Sequence, residues 1–193
     1  MQLQTQNRQY SREEYLQLEA DAEYKHEYRD GEIIPMTGGT TNHNEICLNF
    51  AANLKFGLKQ QNYRVYMGGV RLWIPRHRVY TYPDVMVIKG EPIYADQGTT
   101  TVTNPVLIAE VLSKSTQNYD QGDKFTYYRS IPEMEEYILI SQEQYYVMQY
   151  AKTEAKKWLL SEYTEEDLAI QLSAIAFEFP LSDIYSGVDF NNL

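Results

Sequence analysis

The strongest hydrophobic pattern in the chain is a nearly continuous apolar run that contains one acid. The run extends from Val106 to Leu112 and is interrupted only by Glu110. A short segment rich in valine, leucine and isoleucine is typical of a central strand that is buried on both faces. A carboxylate inside such a strand needs a metal ion, a lysine or hydrogen bonds to offset its burial. If the strand ends early, Glu110 lies at its hydrated end instead.

Helical periodicity and capping signals predict three further elements. Ser11 and Glu14 form a capping box that predicts a helix beginning at Arg12. A second helix is expected after a Gly-Gly-Thr-Thr-Asn loop, because its apolar residues recur every four positions and so share one face. A third helix should end before Ile131-Pro132. The three predicted helices span 12–20, 43–60 and 120–130.

The remaining apolar segments predict strands, the first two of which form a hairpin. The dipeptide Asp30-Gly31 is a strong two-residue turn signal between 24–29 and 32–36. Gly68-Gly69 predicts a bulge or a sharp bend between the next two strands. Further strands are predicted at 63–67, 70–74, 79–88, 106–112, 137–140, 145–150, 157–160 and 168–179. This order predicts a mixed α/β (α+β) domain around one sheet, with residues 1–193 as a single domain and residues 1–10 frayed.

Composition narrows the class of protein. A chain of 193 residues with 43% hydrophobic residues is long enough for one domain with a sizeable core. No stretch approaches the length of a membrane span, and the polar N-terminus lacks a signal-peptide core, so a cytoplasmic location is expected. The single cysteine, Cys47, cannot form an internal disulfide and is expected to be a small buried residue of the second helix.

The charge of the chain is uneven. The formal net charge is −10, but no acid occurs between Ile46 and Pro83. This basic window contains Lys55, Lys59, Arg64, Arg71, Arg76 and Arg78. Such a block is typical of a polyanion site, and Arg71, Arg76 and Arg78 are the candidate nucleic-acid contacts. The alternative is a solvated face whose cations pair with acids from elsewhere in the chain.

Two acids stand at ends of apolar strands. Asp84 follows Pro83 and opens the run Val85–Ile88, and Glu110 lies in the central strand. If these strands pair, both carboxylates can lie at one end of the sheet. Their repulsion would be relieved by a hard divalent cation such as Mg²⁺ or Mn²⁺. A nearby lysine would stabilise developing negative charge or orient the attacking water.

Several segments resemble a known family more specifically than this spacing does. Pro83-Asp84 followed by Glu110 resembles the metal-binding signature of the PD-(D/E)XK nuclease superfamily. Over residues 22–185 the chain is similar to the Uma-type restriction endonuclease family. The segments that carry this resemblance are DGEIIPM (30–36), HNEI (43–46), YPDVMVI (82–88), PVLIAEVLSKST (105–116) and YDQGDKFTYYRSIPEMEEYILI (119–140).

The resemblance implies where the catalytic lysine lies. The lysine of the superfamily usually follows the strand acid by two residues, a position occupied here by Leu112. The resemblance implies that its role has moved to Lys124 on the following helix. Asp120, Lys124 and Tyr128 are four residues apart and should share one helical face. Lys114 is the rival candidate, since it shares strand parity with Glu110.

The resemblance also implies an activity and two supporting residues. Glu32 matches an acid of the family motif and is a candidate third ligand or water-positioning group, unless it is a solvent-facing hairpin residue. His43 could contact phosphate or a water, or could be a capping residue. The implied protein has a restriction-endonuclease-like mixed central sheet flanked by helices, with an N-terminal hairpin and extra C-terminal strands. Its implied activity is that of a Mg²⁺-dependent (or Mn²⁺-dependent) DNA endonuclease that acts as a homodimer.

Two other functions remain open at this stage. The net charge and the displaced lysine are compatible with a binding or assembly protein that keeps the nuclease fold without turnover. An acidic surface would also suit a metal-dependent hydrolase of a small phosphorylated substrate better than it suits a DNA enzyme.

Overall fold

The computed structural model describes residues 8–95, 97–113 and 117–191. Its helices are α1 Arg12–Ala20, α2 Thr41–Gly57, α3 Gln117–Tyr119, α4 Phe125–Tyr128 and α5 Leu181–Ile184. A π-helical turn, Asp120–Lys124, joins α3 to α4, and short 3-10 turns occupy Pro75–His77 and Ser173–Ile175. No helix among these residues is both long and apolar enough to cross a membrane.

The strands of the described residues form three sheets. They are β1 His26–Arg29, β2 Glu32–Pro35, β3 Tyr63–Met67, β4 Arg71–Ile74, β5 Val79–Thr81, β6 Val85–Lys89, β7 Thr101–Val102, β8 Pro105–Leu112, β9 Glu136–Ser141, β10 Tyr146–Lys152, β11 Trp158–Thr164, β12 Ala169–Leu172 and β13 Phe177–Pro180. The central sheet has the order β11-β10-β9-β8-β6-β3, the second β2-β1-β5-β4-β7, and the third is the pair β12-β13.

The predicted central strand lies in the interior of the central sheet. Every residue of β8 is buried, and β8 pairs antiparallel with β6 and parallel with β9. A strand covered on both faces has no polar face, which explains its nearly unbroken apolar sequence. The predicted mixed α/β class is therefore confirmed.

Different elements cover the two faces of the central sheet. One face packs against α2, α5 and the pair β12-β13, in a buried cluster that includes Val87, Val111, Ile46, Phe50 and Ile184. The other face packs against the second sheet and the segment that follows α4, through side chains such as Met86, Leu72 and Met134. Asp84 and Glu110 lie at the end of this second face, because they share strand parity with Met86, Ile108 and Leu112.

The sequence pattern did not predict that neighbouring strands would separate into two sheets. β3 belongs to the central sheet and β4 to the second, and the chain turns between them at Gly68, whose φ is +56°. The predicted strand 79–88 likewise divides at Pro83 into β5 and β6, which belong to different sheets. Proline cannot donate a ladder hydrogen bond, so the strand is interrupted there. The prediction of one sheet was wrong, although the strands themselves were largely confirmed.

Local signals at the helix ends and the hairpin agree with the sequence. The capping box of Ser11 and Glu14 is present, and Thr40 caps α2 by accepting from the amide of His43. The Asp30-Gly31 turn has positive φ at both residues, as the two-residue hairpin requires. The predicted third helix begins three residues earlier than expected and contains the π-helical turn.

Candidate functional site

The register of the central sheet sets Asp84 across from Glu110. In the antiparallel pair β6–β8, Val85 is opposite Ala109. One further step along this ladder brings Asp84 opposite Glu110. The Asp84 amide nitrogen lies 3.4 Å from Glu110 Oε2, and the Val111 amide donates to Asp84 Oδ2 at 2.8 Å. The two predicted carboxylates are therefore neighbours at one end of the sheet.

The π-helical turn and α4 supply three side chains that surround Glu110. Lys124 Nζ lies 3.0 Å from Glu110 Oε1 and 3.0 Å from Asp120 Oδ1. The Tyr128 hydroxyl donates to Glu110 Oε1 at 2.6 Å. Lys124 is only 9% exposed, so it is not a surface partner of Asp120. The predicted shared face of Asp120, Lys124 and Tyr128 is present, on a helix whose π-turn is a feature frequent at functional sites.

The first turn of α2 brings a histidine to the other carboxylate. His43 Nε2 lies 3.1 Å from Asp84 Oδ2, and Cys47 Sγ lies 3.7 Å from His43 Nδ1. The ring also abuts the preceding loop, where a Cβ added at Gly39 would lie 2.7 Å from His43 Nδ1. The backbone at Gly39 and the thiol of Cys47 thus bracket the imidazole beside Asp84.

These side chains line one cavity of about 230 Å³. The cavity lies between the β1–β2 hairpin, the start of α2, the adjoining ends of β6 and β8, and the π-helical turn. Its lining includes Asp84, Glu110, Asp120, Lys124 and His43. The structure therefore brings together residues that are far apart in sequence and carry carboxylate, ammonium and imidazole groups.

The cavity contains a further acid that sequence reasoning missed. Glu27 of β1 is 5% exposed, and Arg29 donates to its Oε2 through two guanidinium nitrogens. The Thr81 hydroxyl donates to Glu27 Oε1. The Arg29 guanidinium also lies over the ring of Tyr119, 3.6 Å from the ring centre. The only available signal was an acid inside a short strand before the Asp-Gly turn, and the polar sequence of that strand gave no sign that Glu27 would be buried.

The two strand-end carboxyls titrate in opposite directions. Burial raises the pKa of Glu110 to about 8, and the charges of Asp84 and Asp120 add to the rise while Lys124 opposes it. Burial alone would also raise the pKa of Asp84, but the hydrogen bond and charge of His43, with Lys124 and the Val111 amide, lower it below its ordinary value. The pKa of Asp84 is therefore held below its ordinary value, and that of Glu110 is held above it.

The cationic groups are stabilised by the same acids. Burial lowers the pKa of Lys124, but Glu110, Asp120 and Glu27 more than compensate and raise it well above its usual value. Burial likewise lowers the pKa of His43, and the hydrogen bond and charge of Asp84 reverse this and raise it. Lys124 is therefore a cation at neutral pH, and Asp84 stabilises the imidazolium form of His43.

The donor set fits a hard divalent cation. Asp84 and Glu110 offer carboxylate oxygens at adjoining strand ends, and the buried Asp120 Oδ1 faces Lys124 Nζ at 3.0 Å. His43, Cys47 and Asp84 together form a candidate metal group, with ligand atoms within 4.8 Å of one another. Burial first, then the charges of Asp84 and Glu110, raise the pKa of Cys47, so the thiolate that soft metals require is disfavoured. Oxygen ligands with open positions suit Mg²⁺ or Mn²⁺.

Several predicted residues lie away from this cavity. Glu32 is exposed on β2 and does not line the cavity. Arg71 donates to Thr101 Oγ1 and lies over the rings of Tyr15 and Tyr80, whereas Arg78 pairs with Asp30 at 2.8 Å. Arg76 is exposed in the 3-10 turn Pro75–His77. None of these three arginines lines the cavity. The rival lysine, Lys114, lies outside the described residues.

Known proteins are similar to most of this chain. The Uma2 family model, described as "Putative restriction endonuclease", matches residues 12–182. One uncharacterized protein of Synechocystis sp. (strain ATCC 27184 / PCC 6803 / Kazusa) is 44% identical over 160 residues, which cover 83% of this chain and 90% of that protein. A second uncharacterized protein of the same strain is 34% identical over 180 residues, which cover 93% of each.

A solved structure has a similar fold. The crystal structure of "a putative nuclease belonging to DUF820" from Anabaena variabilis ATCC 29413 matches 90% of this chain and 96% of its own, with a TM-score of 0.72. At 19% sequence identity this likeness shows the fold alone, and it confirms the expected nuclease-like architecture. The family match spans the hairpin, the central sheet and the π-helical turn that build the cavity. The chain therefore belongs to the Uma2 family of restriction-endonuclease-like proteins.

Proposed function

We propose that this protein is a Mg²⁺- or Mn²⁺-dependent nuclease that hydrolyses DNA phosphodiester bonds in the cavity around Asp84 and Glu110. The single observation that carries the proposal is that two carboxylates at the ends of adjacent strands, Asp84 and Glu110, line one cavity with a buried ammonium. Lys124 Nζ contacts Glu110 at 3.0 Å, and the Glu110 carboxyl lies 3.4 Å from the amide of Asp84. Family membership supports the reaction class.

The chain's own residues have distinct roles in this proposal. Asp84 and Glu110 would hold the cation, which would supply Lewis-acid activation of the phosphate and of the attacking water. Glu110 must release its proton before it can serve as a ligand. Lys124 would then stabilise the negative charge that develops on the phosphate, because preorganised charge in a buried site is strongly stabilising. Asp120 anchors the ammonium through its contact at 3.0 Å.

His43 would orient Asp84 rather than react with the phosphate. Its Nε2 lies 3.1 Å from Asp84 Oδ2, so the imidazole fixes which carboxylate oxygen faces the cavity. Residues that orient a metal ligand affect metal affinity by about 10- to 100-fold. Glu27 is a candidate third acid, since it lines the cavity whereas Glu32 does not.

Cleavage of labelled oligonucleotides tests the proposal. The wild-type protein should cut DNA with Mn²⁺ or Mg²⁺ and not with EDTA. Asp84→Asn, Glu110→Gln and Lys124→Met should each slow cleavage by about 10²-fold or more. Glu165→Gln, an exposed acid of the β11–β12 turn, is the matched control and should cut normally. DNA cleavage that persists in Asp84→Asn or needs no metal would contradict the proposal.

If the protein cuts both strands of duplex DNA, we propose that it does so as a homodimer. Cutting both strands requires two active sites, and a two-fold dimer is the simplest arrangement that provides them. Sedimentation velocity at the concentrations used for cleavage measures this directly. A strictly monomeric protein that still cuts both strands in one binding event would contradict the proposed homodimer.

The small volume of the cavity also favours a second candidate, hydrolysis of a small phosphodiester. A volume of about 230 Å³ admits a small substrate, and the net charge of −10 disfavours general attraction of a long polyanion. A minimal aryl phosphodiester separates the two functions. Metal-dependent turnover of this compound without any binding or cleavage of DNA would favour the small-substrate enzyme. A protein that binds DNA without turning over either substrate would favour the binding-protein alternative.

A further inference from the structure

The candidate ligands are recessed below the surface of the protein. Glu110 is 3% exposed and Lys124 is 9% exposed, and both lie at the inner wall of the cavity of about 230 Å³. A phosphate must therefore enter the cavity to reach them. A flexible single strand can bend its backbone towards such a recessed site more readily than a stiff duplex can.

Three rings lead outward from this cavity and define an aromatic ledge: Tyr119, Tyr127 and His77. Tyr119 lines the cavity, and its ring centre lies 6.4 Å from that of Tyr127. The Tyr127 ring lies 4.9 Å from the His77 ring. All three side chains are partly exposed. The Tyr119 and Tyr127 rings meet edge to face at 65°, and the Tyr127 and His77 rings are tilted by 45°. The ledge therefore offers separate rings, each of which can contact a base, rather than one flat surface.

Cations accompany the aromatic ledge at both ends. At the cavity end, the Arg29 guanidinium lies 3.6 Å from the centre of the Tyr119 ring. At the outer end, Arg76 and Arg129 are exposed, and their charges act on His77. Burial first, then these two arginines, lower the pKa of His77, so its ring is neutral and suited to stacking at neutral pH.

The acids near the aromatic ledge do not cancel this pattern. Glu27, Asp30 and Asp123 act on Tyr127, but Glu27 is paired with Arg29 and Asp30 with Arg78. Asp123 is exposed, where its charge is screened by solvent. A local excess of positive charge thus remains at Arg76 and Arg129 in a protein that is acidic as a whole.

We propose that the substrate strand enters the cavity single-stranded, with successive bases stacked on the aromatic ledge and its phosphates held by Arg76 and Arg129. This inference rests on the proposed nuclease function and specifies the form of its substrate. Stacking on side chains tolerates any base, so the enzyme should show little sequence preference. Arg76 then keeps the nucleic-acid role that the sequence predicted, while Arg71 packs over the Tyr15 and Tyr80 rings and Arg78 pairs with Asp30 at the surface.

Binding of a short oligothymidine, measured by fluorescence anisotropy in EDTA, tests the inference without cleavage. The single strand should bind at least about 10-fold more tightly than a duplex of the same length. Tyr127→Leu should weaken single-strand binding by roughly 5- to 100-fold, and Tyr127→Trp should restore it. Tyr94→Leu is the matched control, because Tyr94 is 43% exposed in the loop beyond the opposite end of β6, and its binding should be unchanged.

A second variant does not depend on the packing of the rings. Arg76→Gln alters an exposed side chain, and it should weaken binding and reduce the slope of affinity against salt by about 1. Duplex binding as tight as single-strand binding, or equal losses in Tyr127→Leu and Tyr94→Leu, would overturn the aromatic ledge. Wild-type cleavage separates this failure from failure of the nuclease function. Metal-dependent cleavage of duplex DNA at least as fast as cleavage of single strands would support the nuclease function but contradict the role of the aromatic ledge. Absence of both DNA binding and DNA cleavage would contradict both proposals.

Discussion

At the scale of single residues, two carboxyls at neighbouring strand ends have opposite titration behaviour. Asp84 is ionised because His43 and the Val111 amide hold its charge, whereas Glu110 is buried so deeply that its pKa rises to about 8. Lys124 cannot compensate fully, because its single ammonium is shared between Glu110 and Asp120. Metal binding at this pair must therefore displace a proton from Glu110.

The pH dependence of metal affinity follows from that proton. Below about pH 8 the affinity for Mn²⁺ should rise by about tenfold per pH unit, and it should level off above it. Tyr128→Phe removes a hydrogen bond that lowers the pKa of Glu110, so it should weaken binding at neutral pH and lose less at high pH. Isothermal titration calorimetry across this range measures both effects. Tyr185→Phe, a buried tyrosine elsewhere, is the control, and a pH-independent affinity in the wild type would contradict the assignment of Glu110.

A glycine pair tests the placement of His43. Gly39→Ala would put a methyl group 2.7 Å from His43 Nδ1, whereas a Cβ at Gly38 meets nothing within 4 Å. The displaced ring should lose its contact with Asp84, so the pKa of His43 should fall from its raised value. NMR titration of the histidine ring signals measures the shift, with Gly38→Ala as the matched control. A pKa of His43 that is the same in both variants would show that this contact does not hold the ring.

Sequence reasoning identified the residues whose chemistry conflicts with their surroundings. An acid in an apolar strand and an acid after a proline marked Glu110 and Asp84, while the role of Lys124 came from the family resemblance, which the four-residue spacing to Asp120 supported. Glu27 escaped because its strand, His26–Arg29, is short and polar, and only the tertiary structure buries it between neighbouring strands. Which residues surround a side chain across sheets is not encoded in local periodicity.

At the scale of elements, side chains from the π-helical turn and from β9 contact segments that are distant in the sequence. Asp120 and Lys124 both face the cavity from the π-helical turn. On β9, the buried Glu136 accepts hydrogen bonds from Gln149 and from the amides of Ser173 and Ala174. Glu136 thereby attaches the 3-10 turn between β12 and β13 to the beginning of β9, an interior strand of the central sheet.

Glu136 should make the stability of the protein fall with rising pH. Burial raises its pKa to about 7 from an ordinary value of 4.5, so the native state binds the proton more tightly than the unfolded state does. The stabilisation is complete below pH 4.5 and is lost as the pH rises through about 7, a change of about 3 kcal/mol. Urea unfolding at several pH values should show a flatter pH dependence for Glu136→Gln than for the wild type. Parallel curves for the two proteins would exclude this role.

At the scale of the whole molecule, strands that are consecutive in the sequence belong to different sheets. The turns at Gly68 and Pro83 send successive strands to different sheets, and that exchange brings the β1–β2 hairpin over the cavity. Periodicity predicted where strands occur but not which strands pair, because pairing depends on contacts between segments distant in the chain. The basic window is likewise continuous in the sequence, yet its cations are distributed over several surfaces of the folded protein.

Substitutions of the three candidate arginines of the basic window should therefore have different effects, some on stability and one on DNA binding. Arg71→Gln removes stacking on Tyr15 and Tyr80 and a hydrogen bond to Thr101, so it should lower the free energy of unfolding by about 1 kcal/mol. Arg78→Gln breaks an exposed ion pair and should change stability little. Arg76→Gln should affect DNA binding alone. Urea unfolding and anisotropy on the three variants test this division, and equal effects of all three on DNA binding would contradict it.

Anomalous diffraction from a crystal soaked in Mn²⁺ tests the central claim most directly. The account predicts a peak within about 2.0–2.4 Å of carboxylate oxygens from both Asp84 and Glu110. The peak should vanish in Asp84→Asn crystals treated in the same way. A peak bound by His43 and Cys47 without Glu110, or no peak in the cavity at a saturating Mn²⁺ concentration, would contradict the proposed metal-dependent active site.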